Sequence, residues 1–316
     1  MKRDTRHVPV LLGPVLEILN PRPGQVIVDC TLGLGGHSAA ILQRVGPAGR
    51  LIGIDFDPKN IALAREALER IASDRFASDA EKGPGAYQLF HNNFAALPTI
   101  LAEAGVGRVD AVLADLGVAS PQIDDPARGF SYRQAGPLDM RMDPTRGQPA
   151  SVLINRISER ELAISLLELG DETDAPQIAN LVVRRRQIQP ITTTEQLMAI
   201  VCEARDFTIK RAAGAKLHPA ARTFQALRIM VNRELANLDR LLAVLPDCLK
   251  PGGLVAIISF HSGEDRRVKA AFREGLDTAV YEEISPDPVL ADEAEVKLNP
   301  RSRSAKMRWA KLVVAA

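Results

Sequence analysis

Three acids in the first 115 residues sit where chemistry can happen. Asp29, Asp55 and Asp115 each follow a short apolar run, at residues 26–28, 51–54 and 109–114. The first opens D-C-T-L-G-L-G-G-H (residues 29–37), a glycine-rich loop that feeds a helical stretch at residues 38–45. Strand, acid, glycine turn and helix together make a nucleotide-shaped crevice. Glycines let the backbone approach a ligand, and a helix start offers unpaired N–H groups. An acid at the end of the second strand, here Asp55, can bridge the two hydroxyls of a ribose. The loop alone is equally a tight βα turn; the second acid points to an adenosine-bearing cofactor.

A dinucleotide fingerprint wants a third glycine three residues after the second. Gly33 and Gly35 are followed instead by Ser38. Asp29, four residues before the first glycine, would also repel a pyrophosphate. Acids with glycines suit a ligand carrying an ammonium and a sulfonium, which is S-adenosylmethionine. On this reading the expected cofactor contacts are Asp29, Gly33, Gly35, Gly36 and Asp55.

Other strand ends carry polar or aromatic groups: Asn92-Asn93-Phe94 and Ser259-Phe260-His261. Phe94 can stack on an adenine, or simply fill the first turn of a core helix. Asp115, opening D-L-G-V-A-S-P-Q, stands where a target atom would meet a methyl group; its plainer role is a helix cap. Residues 128–144, R-G-F-S-Y-R-Q-A-G-P-L-D-M-R-M-D-P, mix aromatics, arginines and acids in a way suited to gripping a base and its phosphates. Arg133 and Arg141 are the expected RNA contacts there, and Asp139 a candidate general base beside Asp115. Residues 299–311 hold five positive charges and no acid. Arg301, Arg303 and Lys306 are expected to meet phosphate, unless the run is a solvated face. Arg184-Arg185-Arg186 is a weaker phosphate signal, and His218 and His261 read as structural before catalytic.

The elements that must position these groups follow a clear rhythm at first. Helical periodicity at residues 10–19 precedes strand one, and Pro58 starts a helix running to about residue 71. Residues 87–91 read as strand three, 94–104 as a helix and 109–114 as strand four, which implies a parallel sheet with helices on both faces. The rhythm stops between Pro121 and Leu217, where helices take over. Ser158-x-x-Glu161 and Thr192-x-x-Glu195 read as capping boxes. A single long helix is expected to carry Phe224, Leu227, Val231, Leu235, Leu238, Leu242 and Leu245 as a core stripe. Residues 254–260 then return to a buried strand. The expected division is residues 1–122 with 218–316 as one α/β domain, and 123–217 as an inserted all-helical domain for substrate recognition.

Composition narrows the classes. Formal net charge is +1, so any nucleic acid must be held by local basic patches, not by overall charge. The three cysteines form no C-x-x-C pair and the five histidines lack metal-ligand spacing, so neither disulfides nor a metal are expected. No run approaches the roughly 18 apolar residues of a membrane span, and the start of the chain is charged, so a cytoplasmic protein is expected.

Several motifs together resemble the bacterial RsmH (MraW) family of ribosomal RNA small subunit methyltransferases over nearly the whole length. They are H-V-P-V-L-L from His7, D-C-T-L-G-L-G-G-H-S, G-I-D-F-D-P from Gly53, D-L-G-V-A-S-P-Q-I-D-D from Asp115, the 128–144 segment, H-P-A-A-R-T-F-Q-A-L-R-I from His218, I-S-F-H-S-G-E-D-R-R-V-K from Ile258 and N-P-R-S-R-S-A-K-M-R from Asn299. The resemblance implies a Rossmann-like S-adenosylmethionine-dependent methyltransferase domain interrupted by a helical insertion. It also implies methylation of the N4 of one cytidine in the decoding region of 16S rRNA. Gly35, Gly36, His37, Asp55, Phe94, Asp115 and Gln122 are the positions matching the family's cofactor contacts. Cys30, Leu34, Ala119 and Gly263 depart from its usual residues without removing a contact. The expected partner is 16S rRNA within the small subunit or a late assembly particle, with a homodimer left open. Rival readings are methylation of DNA or protein, a non-catalytic assembly factor that senses cofactor, and, least of all, a dehydrogenase. DNA N-methylating enzymes often carry D-P-P-Y where this chain has Asp115-Leu116-Gly117-Val118.

Overall fold

The computed structural model describes residues 9–75, 86–208 and 218–314. The start of the His7 motif and most of the connector at residues 73–85 lie outside them. Each apolar run that ends in an acid is a parallel strand: β1 (Val26–Asp29), β2 (Arg50–Asp55) and β4 (Val109–Asp115), with β3 (Tyr87–His91) beside β2. β5 (Leu249–Ser259) joins β4 in parallel. β6 (Tyr281–Ile284) and β7 (Lys306–Leu312) complete a seven-stranded sheet of order β3-β2-β1-β4-β5-β7-β6, in which β7 runs antiparallel to both neighbours.

The alternation of side chains along a strand explains why these runs are apolar throughout. Val28, Ile52, Val112 and Ile257 pack into one cluster, while Ile27, Leu51, Leu113 and Ile258 pack into another. Both faces are thus covered, and each such side chain contributes roughly 2 kcal/mol by leaving water. The strand order turns at β1, which has β2 on one side and β4 on the other. Such a switch point opens a crevice at the C-terminal strand ends. Asp29 and Asp115 are the residues that flank it.

The chain divides into two compact units, Met1–Gly117 with Leu235–Ala316, and Val118–Glu234. The first contains the sheet. The second is built on helices Ala150–Arg156, Glu159–Gly170, Ala175–Ile188, Thr194–Ala204 and Ala221–Asn232, whose Ile154, Leu166, Ile178, Leu197 and Phe224 share one apolar core. Ser158 caps the second of these helices with Glu161 reciprocating, as its spacing predicts. The next expected cap is off by one. Thr193, not Thr192, takes the cap and Gln196 answers it, because the Gln196 side chain reaches the amides of both threonines.

Two further expectations need correcting. The single long helix is two, Ala221–Asn232 and Glu234–Cys248, separated by Arg233 in a left-handed conformation at φ 52°. Its stripe divides accordingly: Phe224 and Leu227 belong to the helical core, Leu238, Leu242 and Leu245 to the core beneath the sheet. Residues 94–104 begin as a 3₁₀ turn, Phe94–Ala96, before the helix Leu97–Glu103. Among the described residues, no helix is long and apolar enough to cross a membrane.

Candidate active site

The glycine loop leads from β1 into the helix Gly36–Val45, and its acid is engaged on both oxygens. Asp29 is buried and accepts from the Ser38 hydroxyl at 2.7 Å and the Thr31 amide at 3.1 Å. It therefore braces the loop against the helix start. Burial pushes its carboxyl up, while His37, Ser38 and Thr31 oppose the shift. Gly35 caps that helix with φ 78°, a conformation that favours glycine. A methyl group there would also stand 3.2 Å from Ala64 Cβ.

Asp55 closes the loop from the neighbouring strand. Its Oδ2 accepts from the Gly33 amide at 2.7 Å and its Oδ1 from the Asp57 amide at 2.8 Å, with Asn60 Nδ2 at 3.2 and 3.3 Å. Burial still pushes this carboxyl up to about 7, against those hydrogen bonds. Next along the rim, the Asn92 amide donates to the Asp55 carbonyl at 3.1 Å. Phe94 follows in the 3₁₀ turn that Asn93 caps, and is half-buried against the sheet.

Asp115 lies across the switch point. The Thr31 hydroxyl accepts from its amide at 2.6 Å. Its Oδ1 is buried and accepts no hydrogen bond from the described residues. Its Oδ2 lies 3.7 Å from His37 Nδ1, and His37 Nε2 donates to the Val10 carbonyl at 2.9 Å. Burial pushes the Asp115 carboxyl well above the usual range, and the neighbouring charges of Asp29 and Glu264 push the same way. Burial lowers His37, with Asp29, the Val10 hydrogen bond and Glu295 opposing. The rim thus gathers Asp29, Asp55, Phe94, Asp115 and the loop glycines. A buried acceptor without a donor, beside two further carboxylates, suits a ligand that brings its own N–H groups or positive charge.

Two acids here were not singled out from sequence. Glu264, the third residue of the helix Ser262–Asp277, accepts from the amides of Phe260 and His261 at 2.9 and 3.4 Å. Its signal was the capping spacing H-x-x-E after a strand. Glu295 accepts from the Leu11 amide at 2.7 Å, joining residues 284 apart; nothing local announces that pair.

The second unit holds the other expected site residues. Gln122 is buried, its Oε1 accepting from the Ala119 amide at 2.8 Å. Asp139 is locked in a two-pronged pair with Arg141 at 2.8 and 2.7 Å. Burial pushes Asp139 up, but the hydrogen bonds and charge of Arg141, helped by Arg128, outweigh it and hold the carboxyl below its ordinary value. Such a group is a poor proton acceptor, which weighs against Asp139 as general base. Arg141 is correspondingly less available to phosphate. Arg128 is buried and donates to the carbonyls of Arg141 and Met142, so the 128–144 segment is pinned from inside. Arg133 is exposed beside Tyr132, whose ring stacks on His218 at 4.4 Å. Of the arginine triplet, Arg185 pairs with Glu203, Arg186 donates to the Ile154 carbonyl, and Arg184 is exposed.

The basic run at residues 299–311 is part turn and part strand. From Lys306 onward it is β7, a strand inside the sheet. Arg308 is buried and donates to Asp265 at 2.6 Å, Lys306 reaches the same acid at 3.4 Å, and Lys311 pairs with Glu282. Arg301 and Arg303 are exposed in the turn before it.

The MraW methylase family model matches residues 4–313. Proteins named ribosomal RNA small subunit methyltransferase H are close in sequence over their full length. That of Acidobacterium capsulatum is 43% identical over 310 residues, covering 98% of this chain and 99% of the relative. That of Geotalea uraniireducens is 43% identical over 326 residues, with 98% and 99% covered. That of Halorhodospira halophila is 44% identical over 322 residues, with 97% and 94% covered. A match of this length and identity, on a sheet whose acids and glycines meet at one switch point, settles the family. The chain belongs to the MraW methylase family of S-adenosylmethionine-dependent methyltransferases.

Proposed function

We propose that this protein methylates the exocyclic N4 of a cytidine in the decoding region of 16S rRNA, acting in the cytoplasm on the small ribosomal subunit or a late assembly particle. The full-length likeness to proteins named for small subunit rRNA methylation supports the substrate class. The observation that carries the chemistry is the unpartnered, buried Oδ1 of Asp115 at the switch point.

S-adenosylmethionine, when bound, supplies an electrophilic methyl group on its sulfonium. Gly33, Gly35, Gly36 and the His37 backbone would shape its seat, Asp55 would take the ribose hydroxyls, and Phe94 the adenine face. Asp115 has the harder task. The lone pair of a cytosine amino group is delocalised into the ring, so the nitrogen is a poor nucleophile. An acceptor for its N–H, such as the Asp115 carboxyl, favours a more tetrahedral nitrogen and a direct in-line attack. Positioning and fixed electrostatics then carry most of the rate. A cytidine in folded RNA must also be unstacked, at a cost of roughly a few kcal/mol. Arg133 in the second unit offers an exposed charge for RNA phosphate, and Arg303 in the first is a separate exposed charge.

The test is incubation with tritiated S-adenosylmethionine and small subunits from cells lacking the gene, followed by digestion to nucleosides. Label in N4-methylated cytidine is expected. Label in another nucleoside would overturn the target atom. Cofactor binding with no label in any particle would favour the assembly-factor reading instead.

A further inference from the structure

We propose that Tyr132, His218 and Arg133 form a seat for one unpaired nucleotide of the substrate RNA, its base stacked on the two rings and its phosphate on the guanidinium. This deepens the function proposed above and rests on its RNA substrate. All three residues belong to the helical unit Val118–Glu234.

The aromatic residues of this stretch divide between interior and surface. Phe130 is buried in the core of the unit, whereas Tyr132, two residues on, is only half-buried. The Tyr132 ring is nonetheless held. Phe224, buried in the same core, meets it at 5.7 Å with the planes 83° apart, and His218 lies nearly parallel to it at 4.4 Å and 20°. His218 is fixed in turn, its Nδ1 accepting from the Ala220 amide at 3.1 Å. Two half-exposed rings thus stand in one stack above a buried aromatic. A base that continues the stack meets rings already in place, which keeps the cost of ordering them low.

The arginines divide as well. Residues 128–144 hold three of them. Arg128 donates to two backbone carbonyls, and Arg141 is paired with Asp139. Arg133 is exposed, and its guanidinium makes no hydrogen bond or ion pair with any described residue. It lies 5.8 Å from the centre of the Tyr132 ring, within cation–π range. Its amide donates to the Ser131 hydroxyl at 3.1 Å, so the backbone is set while the charge stays uncompensated. No acid lies between Arg128 and Leu138 to compete with a phosphate.

His218 adds a directional group. Because Nδ1 accepts from an amide, the neutral ring carries its hydrogen on Nε2. Burial holds this imidazole toward its neutral form, and the charge of Arg133 acts the same way. Nε2 makes no hydrogen bond with a described residue, so it is a donor for a base edge or a 2′-hydroxyl. Stacking tolerates every base, while a paired base in a helix has its faces covered by neighbours. The seat therefore selects an unstacked nucleotide. A cytidine must reach that state before its amino group can be methylated, and holding one nucleotide of the strand open offsets part of the cost.

Tyr132→Ala and Tyr132→Phe decide between this seat and a packing role. Tyr132→Ala should raise KM for small subunits about 10- to 100-fold, with kcat and S-adenosylhomocysteine affinity within about threefold of wild type. Tyr132→Phe keeps the stack and should stay within about twofold in KM. An unchanged KM in Tyr132→Ala, or an equal loss in Tyr132→Phe, would overturn the seat. Arg133→Ala should lower the salt slope of RNA binding by about 1, and an unchanged slope would overturn the phosphate contact. Ultraviolet crosslinking of the wild-type protein to small subunits needs no variant to fold. RNA-linked peptides are expected to contain Tyr132 or His218; links confined to other peptides would also overturn the proposal. Crosslinking through Tyr132 by a protein that methylates no particle would instead strike the methylation reading and uphold the seat.

Discussion

The Gly33 amide donates to the Asp55 carboxylate at 2.7 Å, joining the glycine loop after β1 to the acid that ends β2. The shape of the loop and the setting of Asp55 are therefore one mechanical unit. The ionisation of Asp55 acts on both.

Asp55 should make cofactor affinity depend on pH near neutrality. Burial raises its carboxyl from 3.8 to about 7. The folded protein thus holds a proton that the unfolded chain has released. The stability this contributes is fully present below about pH 4 and is lost as pH rises through about 7. Ribose hydroxyls prefer the ionised acceptor, so affinity for S-adenosylhomocysteine should rise over the same interval. Asp55→Asn should bind about 10- to 100-fold more weakly at pH 8 and flatten the dependence. Calorimetry across pH checks both.

Asp139→Asn should leave the acidic limb of the pH–rate profile where it is. The carboxyl is already ionised and paired with Arg141, so removing its charge should cost about 0.5–1 kcal/mol of stability for a partly exposed pair. A missing limb would return Asp139 to the role of base.

Gly35→Ala should be destabilised by about 1–2 kcal/mol, from the left-handed backbone at φ 78° and the Ala64 contact at 3.2 Å. Cofactor affinity should fall as well, because the strain is relieved by moving the loop that Gly33 ties to Asp55. Thermal melts with and without S-adenosylhomocysteine separate the two effects.

The basic residues near the end should divide into two classes. Arg303→Ala should leave the melting temperature unchanged and lower the salt slope of RNA binding by about 1. Arg308→Ala should cost about 3 kcal/mol, since it leaves buried Asp265 without its main partner. A melt and a salt titration on each variant distinguish them.

What could be read from sequence followed from how each signal is encoded. The parallel strands announce themselves because both faces are buried, so an apolar run such as 51–54 stops only where the rim begins, at Asp55. The rim acids were therefore legible as a set. β7 was not, because Lys306, Arg308 and Lys311 look like a solvated tail until the partners Asp265 and Glu282 are in place. The helix break at Arg233 carries no glycine or proline to mark it, and the apolar period runs on across it into a different core. The Asp139–Arg141 pair and the His37–Asp115 approach depend on side-chain direction, which spacing does not encode.

The division of the chain also sets a timetable for its synthesis. β1 to β4 are made first, and β5 emerges only after the whole of the intervening unit, Val118–Glu234. At usual elongation rates that is on the order of ten seconds. During this interval the nascent β4 has an open hydrogen-bonding edge where β5 will pair, and the apolar face meant for Leu238, Leu242 and Leu245 is bare. The helical unit, with its own core, can close while still attached to the translating ribosome. The half-made sheet is then the part of the molecule that a cellular chaperone would need to shield.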